Sequence, residues 1–354
     1  MKRGWAPKGM GPKAREKFNQ KEITTMKTRN LFMNILGVFI ALILAGTVAP
    51  AATITVLETF DFPGTGNNTI PQKINDGGLI VGIVVDSSGV SKGWVRARSG
   101  NFTEAFVEPN DTGNLTNGRG INNAKVVVGE YLDGATGNFH GYRLFHGNFT
   151  EYDAPDATNT IPLGINNVGD FCGSLVLSDG TQPAFINIFA NVTTFSVPDA
   201  IATLAYSINS LNQVVGYYVD ADGVTTHGYL RASDGTLTFP IDAAGSTGTI
   251  LFANNDANWV VGRYTDASGV THGLFFKTAD NILTFDYPGA AGFTSLNGVN
   301  QGGYVTGRYL DAAGIAHGFL GRISSGGQLN PEQSKSPVMP VKPAYPVRLG
   351  APAL

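Results

Sequence analysis

The stretch Val260-Val261-Gly262-Arg263-Tyr264, with Asn255 seven positions before its glycine, decides the fold because it recurs along the chain. Apolar residues, a glycine and the preceding asparagine return at intervals of 43 to 47 residues. A period of about 45 residues is typical of a supersecondary unit copied in series, in which each copy buries its apolar face against its neighbours. The recurring glycines are Gly82, Gly129, Gly173, Gly216, Gly262 and Gly307.

Each repeat divides into four short segments rich in β-branched and aromatic residues. In the fifth repeat the second, third and fourth segments are 259–266, 272–277 and 282–287, and the sixth repeat opens with 294–300. Gly, Asn, Asp or Pro bounds each segment, as is typical of strands. Six such units without a helical period predict an all-β fold, a six-bladed β-propeller with four antiparallel strands per blade.

The turn between the second and third segments has its own signature, Asp266-Ala-Ser-Gly269 in the fifth repeat. Asp opens the turn by bonding local backbone, and Gly closes it where φ is positive, as in three-residue hairpin loops with a bulge. This register places Tyr264 opposite His272 and Tyr309 opposite His317 across the hairpin.

Ring closure is predicted from a permuted strand. Residues 59–64, Thr-Phe-Asp-Phe-Pro-Gly, nearly duplicate the fourth segment of the fifth repeat at 284–289, and no fourth segment follows the third one of the sixth repeat. We expect the N-terminal strand to complete the last blade and thereby remove the exposed sheet edges.

The ends of the chain have a different composition from the repeats. Residues 26–52 have the layout of a bacterial-type secretory signal peptide: Lys27 and Arg29, an apolar core, then Ala49-Pro50-Ala51. We therefore predict a possible start-site extension over 1–25, a signal peptide over 26–52, the propeller over 53–323 and a Pro-rich disordered tail over 324–354. The protein is expected to be secreted or periplasmic, with membrane contact only through the signal segment if it stays uncleaved.

Charge and cysteine content exclude several partners. The chain has a formal net charge of −3, and the signal-bearing N-terminus is itself basic, so the propeller is more acidic than the whole. An acidic exported protein lacks the basic footprint that nucleic acid requires. Cys172 is the only cysteine, at an apolar strand position, and is expected to be a buried, inert thiol.

The repeats resemble those of the HAF family of probable extracellular proteins, named after a histidine, small residue, phenylalanine triplet. Here the triplet is clearest in His317-Gly318-Phe319, with variants such as His140-Gly141-Tyr142 and His272-Gly273-Leu274. The resemblance covers about residues 54–323. It implies export and a repeat of uncharacterised role, and it brings no catalytic residues.

Two sets of repeated polar residues are candidates for function. The histidines His140, His227, His272 and His317 come from different blades; we expect bonds within each blade to the facing tyrosine or turn aspartate, with a shared metal as the alternative. An asparagine recurs in all six repeats, where it suits a turn. A ring of amides at one channel mouth could also bind a ligand, and these candidate ligand-binding residues are Asn75, Asn122, Asn166, Asn209, Asn255 and Asn300.

Catalytic motifs are not recognisable: no Gly-x-Ser-x-Gly elbow, His-Glu-x-x-His helix or phosphate-binding glycine loop occurs. No cofactor or metal site is predicted. Trp94 and Trp259 could stack on sugars, although strand positions favour core packing. We expect a non-catalytic binding or scaffold module for an extracellular polysaccharide, cell-surface component or protein. The alternative is a carbohydrate-active hydrolase or lyase at the channel mouth, using acids such as Asp76 and Asp256.

Overall fold

The computed structural model describes residues 51–64, 66 and 68–324. The sequence-based predictions for 1–25, for nearly all of 26–52 and for the tail beyond residue 324 lie outside these residues. Among the described residues no helix is long and apolar enough to cross a membrane.

Strands and turns make up the described chain. In chain order the strands of the first half are β1 (Thr53–Phe60), β2 (Asn68–Ile74), β3 (Ile80–Val85), β4 (Ser91–Arg96), β5 (Thr116–Ile121), β6 (Val127–Leu132), β7 (Phe139–Phe145), β8 (Asn148–Tyr152), β9 (Ala157–Ile165), β10 (Phe171–Leu177), β11 (Ala184–Ile188) and β12 (Asn191–Phe195). Those of the second half are β13 (Ala202–Ile208), β14 (Val214–Val219), β15 (Thr226–Arg231), β16 (Leu237–Ile241), β17 (Ser246–Asn254), β18 (Val260–Asp266), β19 (Thr271–Phe276), β20 (Leu283–Phe285), β21 (Thr294–Val299), β22 (Tyr304–Leu310) and β23 (Ala316–Ser324).

These strands form six antiparallel sheets, one per blade, which confirms the predicted six-bladed β-propeller with four strands per blade. The sheet orders are β2-β3-β4, β5-β6-β7-β8, β9-β10-β11-β12, β13-β14-β15-β16, β17-β18-β19-β20 and β21-β22-β23-β1. In the first blade the fourth position is reduced to two isolated bridges, Arg96 with Phe102 and Gly93 with Phe106. The first strand of each blade lies innermost, and its end lines a common central opening.

The last blade combines both ends of the described chain. β1 pairs with β23 from Thr53 opposite Ser324 to Phe60 opposite Gly318, with a bulge between Val56 and Glu58. That this strand is what closes the ring stays a prediction, and an experiment for it is given in the Discussion.

Apolar side chains are buried mainly between neighbouring blades. One cluster joins Cys172 and Ile186 of the third blade to Ile208 and Val214 of the fourth. Cys172 is fully buried, and burial raises the pKa of its thiol to about 12, as expected for an inert cysteine. Each blade therefore depends on its neighbours for its core.

The recurring glycine marks the closest approach of the first two strands in every blade. A Cβ atom on Gly216 would overlap the carbonyl oxygen of Leu204 on the inner strand. The equivalent glycines would meet the inner-strand carbonyl of their own blade in the same way. Steric exclusion of a side chain, rather than a special φ, therefore explains why this position is glycine in all six repeats.

A bulge interrupts every inner strand three residues before the recurring asparagine, where one residue is skipped in the pairing with the second strand. A bulge re-aims a side chain out of the regular pleat, and bulges are frequent beside functional sites. We call the skipped residues the bulge residues: Gln72, Arg119, Leu163, Tyr206, Phe252 and Asn297.

Candidate functional site

The six recurring asparagines each lie directly after an inner strand, and all but Asn122 line one mouth of the central channel. Asn122 is joined to the others by hydrogen bonds. Each side-chain oxygen accepts a hydrogen bond from the backbone N–H four positions later, at 2.9 to 3.0 Å, which shapes the turn into the second strand. The predicted turn-forming role is therefore present in every blade.

The other end of each amide joins neighbouring blades. The Nδ2 group donates to the backbone carbonyl of the corresponding asparagine in the next blade, at 2.8 to 3.2 Å, and the six bonds form a closed ring. All six side chains are only 2 to 5% exposed. Ligand binding by these asparagines stays a prediction, but both ends of each amide already have backbone partners.

A second ring of polar side chains lies directly above the asparagines. We call these the rim residues: Asp76, Asn123, Asn167, Ser210, Asp256 and Gln301. Five of their side-chain oxygens accept a hydrogen bond from the backbone N–H of the rim residue in the preceding blade. The rim is thus fixed by the same blade-to-blade geometry as the ring beneath it.

The two halves of the rim differ in how far their side chains are satisfied. Asp76 accepts from Nδ2 of Asn123 at 2.6 Å and from Nδ2 of Asn167 at 3.3 Å, so this half is bonded to itself. On the fourth, fifth and sixth blades, the described residues offer no hydrogen-bond partner to the Ser210 hydroxyl, the second Asp256 oxygen or the Gln301 amino group. This half carries free donors and acceptors on three adjacent blades.

Asn254 departs from the repeat beside that free half. The residue before the recurring asparagine is Ile or Val in five blades and asparagine in the fifth. Its Nδ2 donates to the carbonyl of Gln213 at 3.0 Å, while its Oδ1 is buried and has no hydrogen-bond partner within residues 51–64, 66 and 68–324. A buried oxygen left unpaired costs about 1–3 kcal/mol, so this exception needs an explanation.

Asn254 and Asn255 line both the mouth and a second cavity between the fourth and fifth blades. This groove has a volume of about 120 Å³ and combines apolar residues such as Phe276 and Ile241 with polar ones such as Thr238. An apolar wall with a few convergent polar groups is the usual composition of a small-molecule site.

The two tryptophan candidates have different surroundings. Trp94 is fully buried, as its strand position suggested. Trp259 is half-buried near the same face as the mouth, and the Lys277 amino group lies 4.9 Å from its ring centre. Neither ring is fully exposed for stacking on a sugar.

The opposite face carries the histidines, each bonded near the hairpin of its own blade. Every one stacks on the facing tyrosine at 4.9 to 5.3 Å. Their Nδ1 atoms lie 2.7 to 2.8 Å from an aspartate in the fourth-strand region. For His317 that aspartate is Asp61, next to β1. The predicted hydrogen bond to the turn aspartate is present for His272 and His317, at 3.4 and 3.3 Å. The facing tyrosines stack on the histidines, and the aspartate of the fourth-strand region is a partner that the sequence analysis did not name.

Proton affinity at two of these histidines is shifted by their partners. Burial lowers the pKa of His272 and of His317, but hydrogen bonds to two aspartates each outweigh burial and leave both pKa values raised. Within the described residues, one group, His140, Glu151 and Asp153, brings metal-ligating atoms within 4.8 Å of one another. It is one ligand short of a closed tetrahedral site.

The groove was missed because it depends on a departure from the repeat and not on the repeat itself. The signal was present in the sequence: a single asparagine at a position otherwise held by Ile or Val. The bulge residues gave no such signal, since a skipped pairing leaves no mark in the spacing.

Comparison with known proteins leaves the fold as the common feature. No protein-family model and no curated protein matches the chain. Among solved structures, similar ones include the Aleuria aurantia lectin in complex with Fucalpha1-6GlcNAc (7% identity, 75% of this chain and 97% of that one, TM-score 0.47). Others are TolB from Acinetobacter baumannii (11%, 74% and 67%, 0.44) and the β-propeller domain of the Trilobed protease from Pyrococcus furiosus (14%, 62% and 68%, 0.41). The propeller assignment rests on the strand order of this chain.

Proposed function

We propose that this protein is a non-catalytic binding module that recognises a polysaccharide or another glycan-bearing cell-surface component at the free half of the rim. The observation that carries the proposal is the buried, unpartnered Oδ1 of Asn254 at the junction of mouth and groove. A ligand hydroxyl that enters the groove far enough to reach this oxygen would supply the missing hydrogen bond.

Carbohydrate chemistry fits the surrounding groups. Sugar hydroxyls both donate and accept, and here an acceptor (Asp256), a donor (the Gln301 amino group) and a hydroxyl (Ser210) lie on adjacent blades. Leu230, which is half-buried and lines the same groove, would contact the C–H face of a ring. The blades hold these groups in place before a ligand arrives, which reduces the ordering cost of binding.

Catalysis by the rim acids has less support. A glycosidase pair requires two carboxyl groups available to the scissile bond. Asp76 accepts hydrogen bonds on both oxygens from Asn123, Asn167 and Gln301, so it is committed to the rim. Asp256 alone keeps an oxygen free, which suits binding better than a two-carboxylate mechanism.

Export and membership of the HAF-repeat family are proposals of the same kind. They are supported by the signal-like segment 26–52 and by the six repeats in register. Sequencing the N-terminus of the protein recovered from the culture medium tests export: a start near Ala52 supports it, and retention of residues 1–52 contradicts it.

Binding is tested by screening the purified protein against microbial and plant polysaccharides while scoring retention and soluble product together. Asn254→Ile restores the residue type of the other blades and should fold; we expect it to lose at least tenfold in affinity. Val299→Ile, at the same position in the sixth blade, is the matched control and should bind as the wild type does. Equal affinity in all three proteins contradicts the site, and released oligosaccharide contradicts the non-catalytic role.

A further inference from the structure

Two arginines on the second strands, next to the inner strands of the channel, have no charged partner among the described residues. Arg263 and Arg308 follow the recurring glycine in the fifth and sixth blades and pair with Ile250 and Ser295 of the inner strands. Among the described residues neither guanidinium makes an ion pair or a hydrogen bond, and Nε of Arg308 is buried without a partner. Both instead lie over Phe293, at 5.5 and 5.2 Å from its ring centre. The two guanidinium carbons are therefore no further apart than the sum of these distances.

Aromatic bulge residues connect this pair to further cations. Arg263 also lies 5.4 Å from the ring centre of Phe252, which packs 5.0 Å from Tyr206. Lys73, from the first blade, places its amino group 5.8 Å from the Tyr206 ring. The channel wall thus carries cations from the first, fifth and sixth blades, joined by rings from the fourth, fifth and sixth.

One acid offsets this positive charge. Arg119, the bulge residue of the second blade, makes an ion pair with Glu130 at 2.6 Å. We call Lys73, Arg119, Arg263 and Arg308 the channel cations, of which only Arg119 is neutralised by a described acid. The rim acids are too distant to neutralise Arg263. It pairs with Ile250, five positions before the recurring Asn255, which is roughly 15 Å along the strand.

Burial and the charges of neighbouring cations lower the pKa values of Arg308 and Lys73. Burial, with the nearby charges of Arg263 and Arg119, lowers the pKa of Arg308 to about 10. Burial, reinforced by Arg119, lowers the pKa of Lys73 to about 7. Lys73 is buried, and Arg263 and Arg308 are half-buried. Charges removed from water are normally paired, and strongly perturbed groups cluster at functional sites. Contacts with aromatic rings stabilise a cation less than an ion pair does, so they do not account for the two unpaired guanidinium groups of Arg263 and Arg308.

We propose that the channel binds an oxyanion, the carboxylate or sulfate group of a ligand, at the guanidinium groups of Arg263 and Arg308 beside the Phe293 ring. Each planar guanidinium offers parallel N–H donors that match such a group, and two of them approach from adjacent blades. Phe252 and Phe293 exclude water on their flanks, which strengthens the attraction. This site is separate from the proposed glycan site at the rim and does not depend on it.

The experiment is calorimetric titration of the full chain with sodium sulfate, and with glucuronate, its neutral methyl ester and acetate, at constant ionic strength. We expect saturable binding of sulfate and glucuronate and at least tenfold weaker binding of the ester. The double substitution Arg263→Gln/Arg308→Gln should weaken sulfate binding at least tenfold. Arg322→Gln is the matched control, since Arg322 also has a buried unpartnered Nε and lies over a ring, Tyr304, but in β23.

Several results decide the proposal. No binding of either anion by the wild type, or equal affinity in the double variant, overturns it. Glucuronate binding more tightly than acetate supports an acidic sugar as the source of the oxyanion, and sulfate binding without that preference supports a free anion. If the double variant fails to fold, Arg263→Lys and Arg308→Lys keep the charge but lose the planar fork; unchanged sulfate affinity in both overturns the proposal. Asn254→Ile should leave sulfate binding unchanged, which separates this site from the rim.

Discussion

The side chain of Asn300 donates a hydrogen bond to the backbone carbonyl of Asn75 at 3.1 Å, across 225 positions of sequence. This bond joins the sixth blade to the first and so closes the ring of six equivalent asparagine hydrogen bonds. Each of these amides satisfies a turn in its own blade and a carbonyl of the next. The geometry of the mouth is therefore a property of the whole ring.

Breaking this ring at one point should destabilise the whole propeller. Asn122→Ala removes the turn bond to Val126 and leaves the carbonyl of Asn166 without its Nδ2 donor. We expect a loss of about 2–3 kcal/mol in the free energy of unfolding, measured by urea denaturation. Asn101→Ala, at an exposed loop position, is the control and should change it by less than about 0.5 kcal/mol. Similar values for the two variants would mean that the amide ring contributes little.

His272 and His317 should make the free energy of unfolding fall as the pH rises above about 6.5. Because the folded-state pKa values of His272 and His317 lie above the ordinary value of 6.5, their stabilisation is fully present below that pH. It is lost as the pH rises through the raised values. Urea denaturation between about pH 5 and about pH 9 should show this decline, and His272→Asn/His317→Asn should flatten it. His146→Asn, at an exposed turn outside the repeat, should leave the profile unchanged.

The recurring glycine should tolerate no side chain. Gly216→Ala forces a methyl group against the Leu204 carbonyl, and the two strands must separate to admit it. We expect a loss of about 2–3 kcal/mol, at the upper end of the range for overpacked cores, in thermal or chemical unfolding. Gly302→Ala is the control, because the nearest neighbours of its Cβ would be side-chain atoms of Tyr304 and Asn300 at 3.3 to 3.5 Å and not a backbone carbonyl at close range. An unaffected Gly216→Ala would contradict the close approach.

Closure by the N-terminal strand can be tested with a disulfide. Thr53 and Ser324 are opposite each other in the pairing of β1 with β23, so Thr53→Cys/Ser324→Cys should form a bond under mild oxidation. Since the bond joins residues 271 positions apart, it should raise the melting temperature, and reduction should reverse the effect. Failure to form the bond in the folded protein would contradict closure by this strand.

Restoring the repeat at Asn254 should stabilise the protein. Asn254→Ile removes a buried unpaired oxygen at a position where most other blades carry isoleucine. We expect a gain of about 1–2 kcal/mol in urea denaturation, together with the loss of binding described above. A loss of stability would show that the Gln213 contact outweighs the unpaired oxygen.

The six-bladed fold could be predicted from the sequence because the backbone geometry of each blade requires the recurring glycine and asparagine. Gly216 leaves no room for a side chain and Asn122 forms the turn, so the same letters recur wherever the same geometry does. The bulge positions follow the opposite rule. Tyr206 and Arg119 occupy equivalent bulges yet share no chemistry, and the skipped pairing that re-aims them is invisible in the spacing. The meaning of Asn254 emerges only from the residues it contrasts with in the other blades.

The six bulges have a consequence for how this protein can diversify. A bulge residue stands outside the ladder of strand pairing, so exchanging its side chain leaves the backbone hydrogen bonds of that ladder in place. Among the described bulge residues, the side chains of Arg119 and Asn297 do bond to a neighbouring strand, to Glu130 and to the Pro71 carbonyl. The fold therefore depends on the recurring glycines and asparagines, while bulge positions such as 119, 206 and 252 can change without altering it. A library randomised at the bulge codons would sample new specificities on one unchanged scaffold.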